Sequence, residues 1–269
     1  MSFKILVTGL CIALLAGCVS KDEDDEDIKT SSDFATTEIE AYYAIEVMAE
    51  NEVHFYANFY ADNQSLELTG DDKVFVEINS TSEALLGQTA SGITTYSLIE
   101  SLDSIASSYI FDLSRTDFDS APRSIVTIPQ TFESTQPLAS TQVSAVNNKF
   151  PLRWQGLALT EAELAADPEA IVDGKQFTVR YDFDCRNGGN PNALGSFVEK
   201  LIDDGEHSIN LNKVFGISQG SSGLSSCESF DITLIRSDSN GYSDPAFKGG
   251  SNTGAQVRFI RGLSIVDIL

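Results

Sequence analysis

Histidine, cysteine, tryptophan and positive charge are all scarce in this chain. Its 269 residues include 2 His, 4 Cys and 1 Trp, and 17 Lys and Arg stand against 40 Asp and Glu. So few imidazoles and thiols leave too small a ligand set for a structural zinc site, and no bound metal or cofactor is expected. No cysteine pair has the CxxC spacing of a reactive dithiol. The formal net charge of −23 opposes nucleic acid, whose binding depends on neutralising phosphates. It favours solubility and attracts cations. The N-terminal apolar run, Ile5 to Leu15, is broken only by Thr8 and Gly9. It falls short of the roughly 20 residues that cross a bilayer.

That run has the length of the apolar region of a signal peptide, and Lys4 supplies the positive charge before it. It ends in Leu15-Ala16-Gly17-Cys18, which resembles the lipobox of bacterial lipoproteins. The resemblance implies removal of residues 1–17 and lipidation (palmitate among the acyl chains) of Cys18 as the new N-terminus. It also implies attachment to a membrane through the lipid, since each buried CH₂ contributes about 0.8 kcal/mol. Val19 occupies the position where an Asp commonly retains such proteins at the inner membrane, so the resemblance implies outer-membrane sorting, facing the periplasm or the cell surface. Lys21-Asp22-Glu23-Asp24-Asp25 is similar to the charged export tag of surface lipoproteins. Only Lys4 of the basic residues precedes Cys18, so the exported part is one charge more acidic than the whole. Asp22 to Asp27 is a continuous acidic run. It reads first as a self-repelling, extended stalk, with an export tag or a cation site as sharper alternatives.

Residues 18–37 are therefore expected to be lipidated Cys and acidic linker, followed by all-β structure. Ile39, Ala41, Tyr43, Ile45 and Val47 alternate with Glu40, Tyr42, Ala44 and Glu46. Val53, Phe55, Ala57 and Phe59 alternate with His54, Tyr56, Asn58 and Tyr60. Period two with one apolar face predicts strands, and residues 49–52 predict the turn between them. Further strands are expected at 66–68, 73–78, 93–98, 109–113 and 124–128. Seven or so short strands in about 100 residues suggest an antiparallel sandwich over 38–130. Pro129 to Pro137 marks a boundary. A second sandwich is expected over 138–269, from strands at 150–155, 177–183, 197–202, 207–211, 230–235 and 257–260. Thr160-Glu161-Ala162-Glu163 is a capping box that predicts a short helix before Pro168. Residues 194–202 read as strand in preference to helix, and Asp203-Asp204-Gly205-Glu206 reads as a hairpin turn.

Trp154 on an early strand, a cysteine on each of two later strands, and Leu234-Ile235-Arg236 before a Gly-rich loop make residues 138–269 similar to immunoglobulin-like or fibronectin-like modules. The tryptophan precedes both cysteines, so the antibody type of disulfide-and-tryptophan core is not implied. One sandwich architecture hosts many activities, and the resemblance brings no function. Export to an oxidising compartment makes a Cys185–Cys227 disulfide the expectation. It would close a loop of about 40 residues, worth roughly 4 kcal/mol on the chain-entropy view.

Little resembles catalytic machinery. Gly216-Ile217-Ser218-Gln219-Gly220 fits the nucleophile-elbow pattern, but no histidine follows residue 207, and the Gly/Ser surroundings read as loop. His54 falls on the polar face of its strand, and neither His54 nor His207 has a catalytic frame. Asp238 to Asp244 spaces oxygen ligands loosely like a calcium loop, yet the twelfth position is Gly249 where a Glu is needed. A loop with Asn-Gly turn chemistry fits better. Asp71-Asp72 and Asp182/Asp184 are comparable acidic pairs. Tyr42, Tyr56 and Tyr60, with His54 and Asn58, would put aromatics on the non-core face, either packed against other structure or exposed to a protein or glycan partner. The function expected is thus a non-enzymatic structural or binding lipoprotein. An enzyme or accessory acting on envelope or extracellular polysaccharide, and a calcium-stabilised adhesion module, are the alternatives.

Overall fold

The computed structural model describes residues 29–48, 51–144, 148–165, 176–187, 190–214, 227–239, 241–249 and 251–265. The strands are β1 (Lys29–Thr30), β2 (Glu40–Val47), β3 (Glu52–Ala61), β4 (Gln64–Glu67), β5 (Lys73–Ile78), β6 (Thr81–Ala84), β7 (Leu86–Ala90), β8 (Ile93–Ser101), β9 (Ser108–Ser114) and β10 (Ala121–Thr127). They continue as β11 (Ser134–Gln136), β12 (Gln142–Val143), β13 (Lys149–Trp154), β14 (Gln176–Asn187), β15 (Asn190–Ile202), β16 (Glu206–Asn210), β17 (Cys227–Asp238) and β18 (Asn252–Ile265). The helices α1 (Glu161–Leu164) and α2 (Leu211–Val214) are one turn each.

The chain is all-β, with sandwich-like sheets, as the alternation predicted. An 11-stranded sheet runs β1-β4-β3-β2-β18-β17-β14-β15, with β7, β8 and β12 attached off that path. A 4-stranded sheet, β10-β9-β5-β6, covers its first half, and a 3-stranded sheet, β11-β13-β16, covers its second. Tyr43 and Phe55 of β2 and β3 meet Phe111 and Tyr109 of β9, at centroid distances of 4.7 Å for Tyr43–Phe111 and 5.1 Å for Phe55–Tyr109. In the second half, Trp154 of β13 stacks on Phe177 of β14 at 4.1 Å with the rings 3° from parallel. Burial follows the alternation residue by residue: Ala41, Tyr43, Ile45, Val47, Val53, Phe55, Ala57 and Phe59 are all buried.

Although Pro129–Pro137 separates the two sets of strands in sequence, the main sheet continues across. β18 pairs in parallel with β2, Asn252 opposite Tyr42 through Val257 opposite Val47, and antiparallel with β17 on its other edge. One connected core cluster spans both halves. The β17–β18 connection also reaches back to β10, where Ile125 and Tyr242 exchange backbone hydrogen bonds of 2.7 and 2.8 Å. Gly241 is required there, because a Cβ would lie 1.6 Å from Thr253 Oγ1 and 2.6 Å from the Ile125 carbonyl oxygen.

Two expectations need correction. Residues 29–37, expected as linker, are folded: β1 pairs with β4, and Ser31 and Thr36 are buried. Arg115 holds them, its guanidinium donating to the Ser31 carbonyl at 2.5 Å, to Thr36 Oγ1 at 3.0 Å and to Asp72 at 3.1 Å. Second, Asp203 to Glu206 is no hairpin turn. β15 pairs with β14 and β16 with β13, so the chain changes sheets there, with Gly205 at φ 95°. The reason is Asp203. Its carboxylate is drawn inside by Arg236 (Nε to Oδ2 2.6 Å, Nη2 to Oδ1 2.9 Å) and by the Trp154 indole N–H at 2.6 Å. Strands β6 and β7 are additions: they carry no clear apolar alternation, and every one of their residues is exposed.

The capping box of α1 forms as expected. The Thr160 N–H donates to Glu163 Oε2 at 2.8 Å, and the Glu163 N–H to Thr160 Oγ1 at 3.3 Å. Residues 194–202 are strand, within β15.

Candidate functional site

The pleat that buries one face of β2 and β3 turns Tyr42, Ala44, Glu46, His54, Tyr56, Asn58 and Tyr60 outward. No second layer of described residues seals this face: Tyr42 is 38% exposed, and Tyr60 and Asn58 are half-buried. The aromatic stripe read from the sequence is therefore solvent-facing. Parallel register sets β18 beside it, with Gly254 opposite Ala44 and Gln256 opposite Glu46. Ala44 and Gly254, the smallest of these, form the floor of a trough of about 480 Å³. Tyr42 and Asn58 also line a neighbouring hollow of about 450 Å³ with Glu40, Tyr60 and Asn63. The two hollows thus share the Tyr42–Asn58 ridge.

The polar groups around the trough are positioned by bonds to one another. Tyr42 and Tyr60 meet edge to face at 5.4 Å and 86°. Tyr42 donates its hydroxyl to Glu40 at 3.2 Å, and Glu40 takes Lys248 at 2.9 Å. The Lys248 ammonium holds the Glu40 carboxyl below its usual range. Asn58 spends its amide N–H groups on the Thr94 carbonyl (3.0 Å) and Thr95 Oγ1 (2.8 Å) of β8, so its carbonyl oxygen is what it has to offer. Arg258 bridges Glu46 (2.6 Å) and the Gln256 carbonyl oxygen (2.9 Å), which leaves Gln256 its amide donors. Ser237, Asp238 and Ser239 close the β17 side. Tyr56 lies beyond Glu46, its phenol pushed up by burial and the Glu46 charge.

The other sequence candidates lie outside the trough. His54 contacts Glu52 (2.7 Å) and the Tyr56 hydroxyl (3.1 Å) on the same outward face. His207 lies 3.4 Å from Glu199 in the other half of the molecule. Asp72 is committed to Arg115, and Asp182 to Arg180 at 2.8 Å. Asp244, at the end of the suspected calcium loop, accepts backbone N–H groups of Arg123 (3.0 Å) and Ala246 (2.9 Å). Among the described residues no group of three or more His, Cys, Asp or Glu could hold a metal ion. No helix among them is long and apolar enough to cross a membrane. Cys18 and Gly216 to Gly220 lie outside the described residues. Cys185 and Cys227 oppose each other in the β14–β17 register, next to an irregularity at Asp184; their side chains lie outside the description.

What sequence reasoning missed is the β18 wall. The parallel β2–β18 pairing joins residues about 210 positions apart, as the Glu46–Arg258 bond shows, and no local pattern encodes it.

No protein-family model and no curated protein sequence matches the chain. Solved structures superimpose on it at low scores. DIP-gamma IG1+IG2 is 9% identical, with 87% of this chain and 100% of that chain covered and a TM-score of 0.22. The calcium binding domain CBD12 of CALX1.1 is 10% identical over 84% and 99%, with a TM-score of 0.23. The Yersinia pseudotuberculosis adhesin InvE is 14% identical over 84% of this chain and 59% of that one, at 0.19. Scores this low do not establish a shared fold, and the architecture above rests on the sheets themselves.

Proposed function

We propose that the chain is an exported lipoprotein, anchored through Cys18 to the outer membrane, with a binding role and no catalytic one. The binding surface is the outward face of β3, β2 and β18. The observation that carries this reading is the solvent-facing Tyr42–Tyr60 pair beside a trough furnished with amides and carboxylates. Binding fits this face better than catalysis does. A glycosidase needs one carboxyl held protonated as general acid. Here Glu40 is held ionised by Lys248, and Glu46 is bound to Arg258 at 2.6 Å. The anchor rests on Leu15-Ala16-Gly17-Cys18, and the outer-membrane assignment on Val19. A Cys185–Cys227 disulfide belongs to the same reading. Opposed residues of an antiparallel pair have Cα atoms about 4.5–5.5 Å apart, inside the range that a disulfide spans.

Two measurements on the full chain test this. Cys18→Ala should leave the protein unlipidated by mass and released from membranes; equal membrane retention without a mass change would refute the anchor. The purified Cys18→Ala protein, which lacks the lipid, should be retained by isolated cell envelopes, and adding Tyr42→Ala/Tyr60→Ala should lower that retention at least tenfold. Unchanged retention by the double variant would refute the binding face.

A further inference from the structure

We infer that the trough over Ala44 and Gly254 is a binding site for a neutral saccharide chain. This rests on the reading of that face as the binding surface and adds the chemical class of its ligand. A pyranose ring presents an apolar C–H face and a rim of hydroxyls that both donate and accept. The trough matches both requirements. Tyr42 supplies aromatic surface at one end, and Tyr60, edge to face with it, lines the adjoining hollow. The Asn58 carbonyl oxygen is an acceptor, and the Gln256 amide is a donor whose own carbonyl is already taken by Arg258. Asn252 accepts from the Thr253 N–H at 2.7 Å and likewise keeps its amide donors. Two hollows of about 480 and 450 Å³ meeting at Tyr42 are each of small-ligand size, which suits successive units of a chain.

Charge excludes the acidic sugars. The cations bordering the trough, Arg258 and Lys248, are bound to Glu46 and Glu40, in a chain of net charge −23. A uronate would enter a negative field with no cation among the residues that line the trough. A peptide fits less well. The floor strands already spend their backbone groups on one another, so no strand can be added there. The outward positions at the floor are Ala44, with a methyl group, and Gly254, with no side chain, which give an α-helix no apolar groove to fill.

Gly254 makes the inference testable without unfolding the protein. A Cβ at this position would meet only the Asp238 carbonyl oxygen, at 3.8 Å, and valine suits a strand better than glycine does. Gly254→Val should therefore fill the trough and leave the fold intact, checked by an unchanged urea midpoint in Trp154 fluorescence. The full-length lipoprotein would be run in native gels containing a soluble β-1,3-glucan, a galactomannan, soluble starch or, as the anionic probe, sodium alginate. We expect retardation by at least one neutral polymer, none by alginate, and at least tenfold weaker binding in Gly254→Val. Retardation by alginate would overturn the charge argument, and retardation unchanged in Gly254→Val would put the sugar elsewhere. No retardation by any neutral polymer would overturn the saccharide inference. If envelope retention still depended on Tyr42 and Tyr60 in that case, the binding face would stand with a protein as its ligand. If it did not, both readings would fall together.

Discussion

Asp203→Ala isolates the polar knot that joins the two layers of the second half. Asp203 and Arg236 are both fully buried. The guanidinium makes two bonds to the carboxylate and two more to the carbonyl oxygens of Gln130 (2.7 Å) and Gln155 (2.6 Å). Removing the carboxylate leaves a buried cation and a buried indole N–H without their acceptor. Breaking a buried ion pair from one side costs about 3–5 kcal/mol. With a urea m-value on the order of 3 kcal/mol/M for a chain of this size, the midpoint should fall by more than about 1 M. Trp154 is the natural reporter. It is the only tryptophan, bonds Asp203 directly, and stacks on Phe177. Asp203→Leu combined with Arg236→Met should recover much of the loss, because both charges leave together. Recovery stays incomplete, since the Gln130 and Gln155 carbonyls lose their donor. A loss below about 1 kcal/mol for Asp203→Ala, or a double variant no better than the single, would refute this account of the knot.

Three further outcomes follow from other sites. Asp112 is pushed above the usual carboxylate range by burial and by Asp244, and its Oδ1 is buried without a partner. The folded state therefore holds this proton more tightly than the unfolded chain does. That contribution is complete below the ordinary value of 3.8 and is lost as pH rises through the folded-state value. Asp112→Asn should accordingly raise Tm by a few degrees at pH 7 and bring no gain below about pH 4, as calorimetry across pH would show; an equal gain at both pH values would contradict it. Gly241→Ala should cost about 1–3 kcal/mol, the usual penalty of overpacking, because the Ile125 carbonyl it strikes is backbone; a neutral result in urea denaturation would show that this loop can shift. Reduction of the protein exported to an oxidising compartment should lower stability by roughly 4 kcal/mol and add two free thiols by labelling, both effects absent in Cys185→Ser/Cys227→Ser. Labelling of two thiols before reduction would exclude the disulfide.

The parts legible from sequence are those set by neighbours along the chain. Period two in 39–47 and 53–60 yields β2 and β3, with the right residues inside. Thr160 and Glu163 cap α1 because a capping box closes within one turn. The outward position of Tyr42, Asn58 and Tyr60 follows from the same parity. Strands β6 and β7 have no such signal, since exposure on both faces removes the alternation that marks a strand.

Local patterning accounts for the all-β class, the buried face of each patterned strand, and the aromatic stripe. These depend on a side chain's period, a property of a few consecutive residues. Long-range packing alone makes one sheet run through both halves, lets Arg236 pull Asp203 inside so that an apparent hairpin becomes a sheet crossing, and brings Gly254 and Gln256 to line a trough beside Tyr42. Each of these depends on which strand edges meet and which buried charges find partners, and both are set by long-range packing that no local run of residues records.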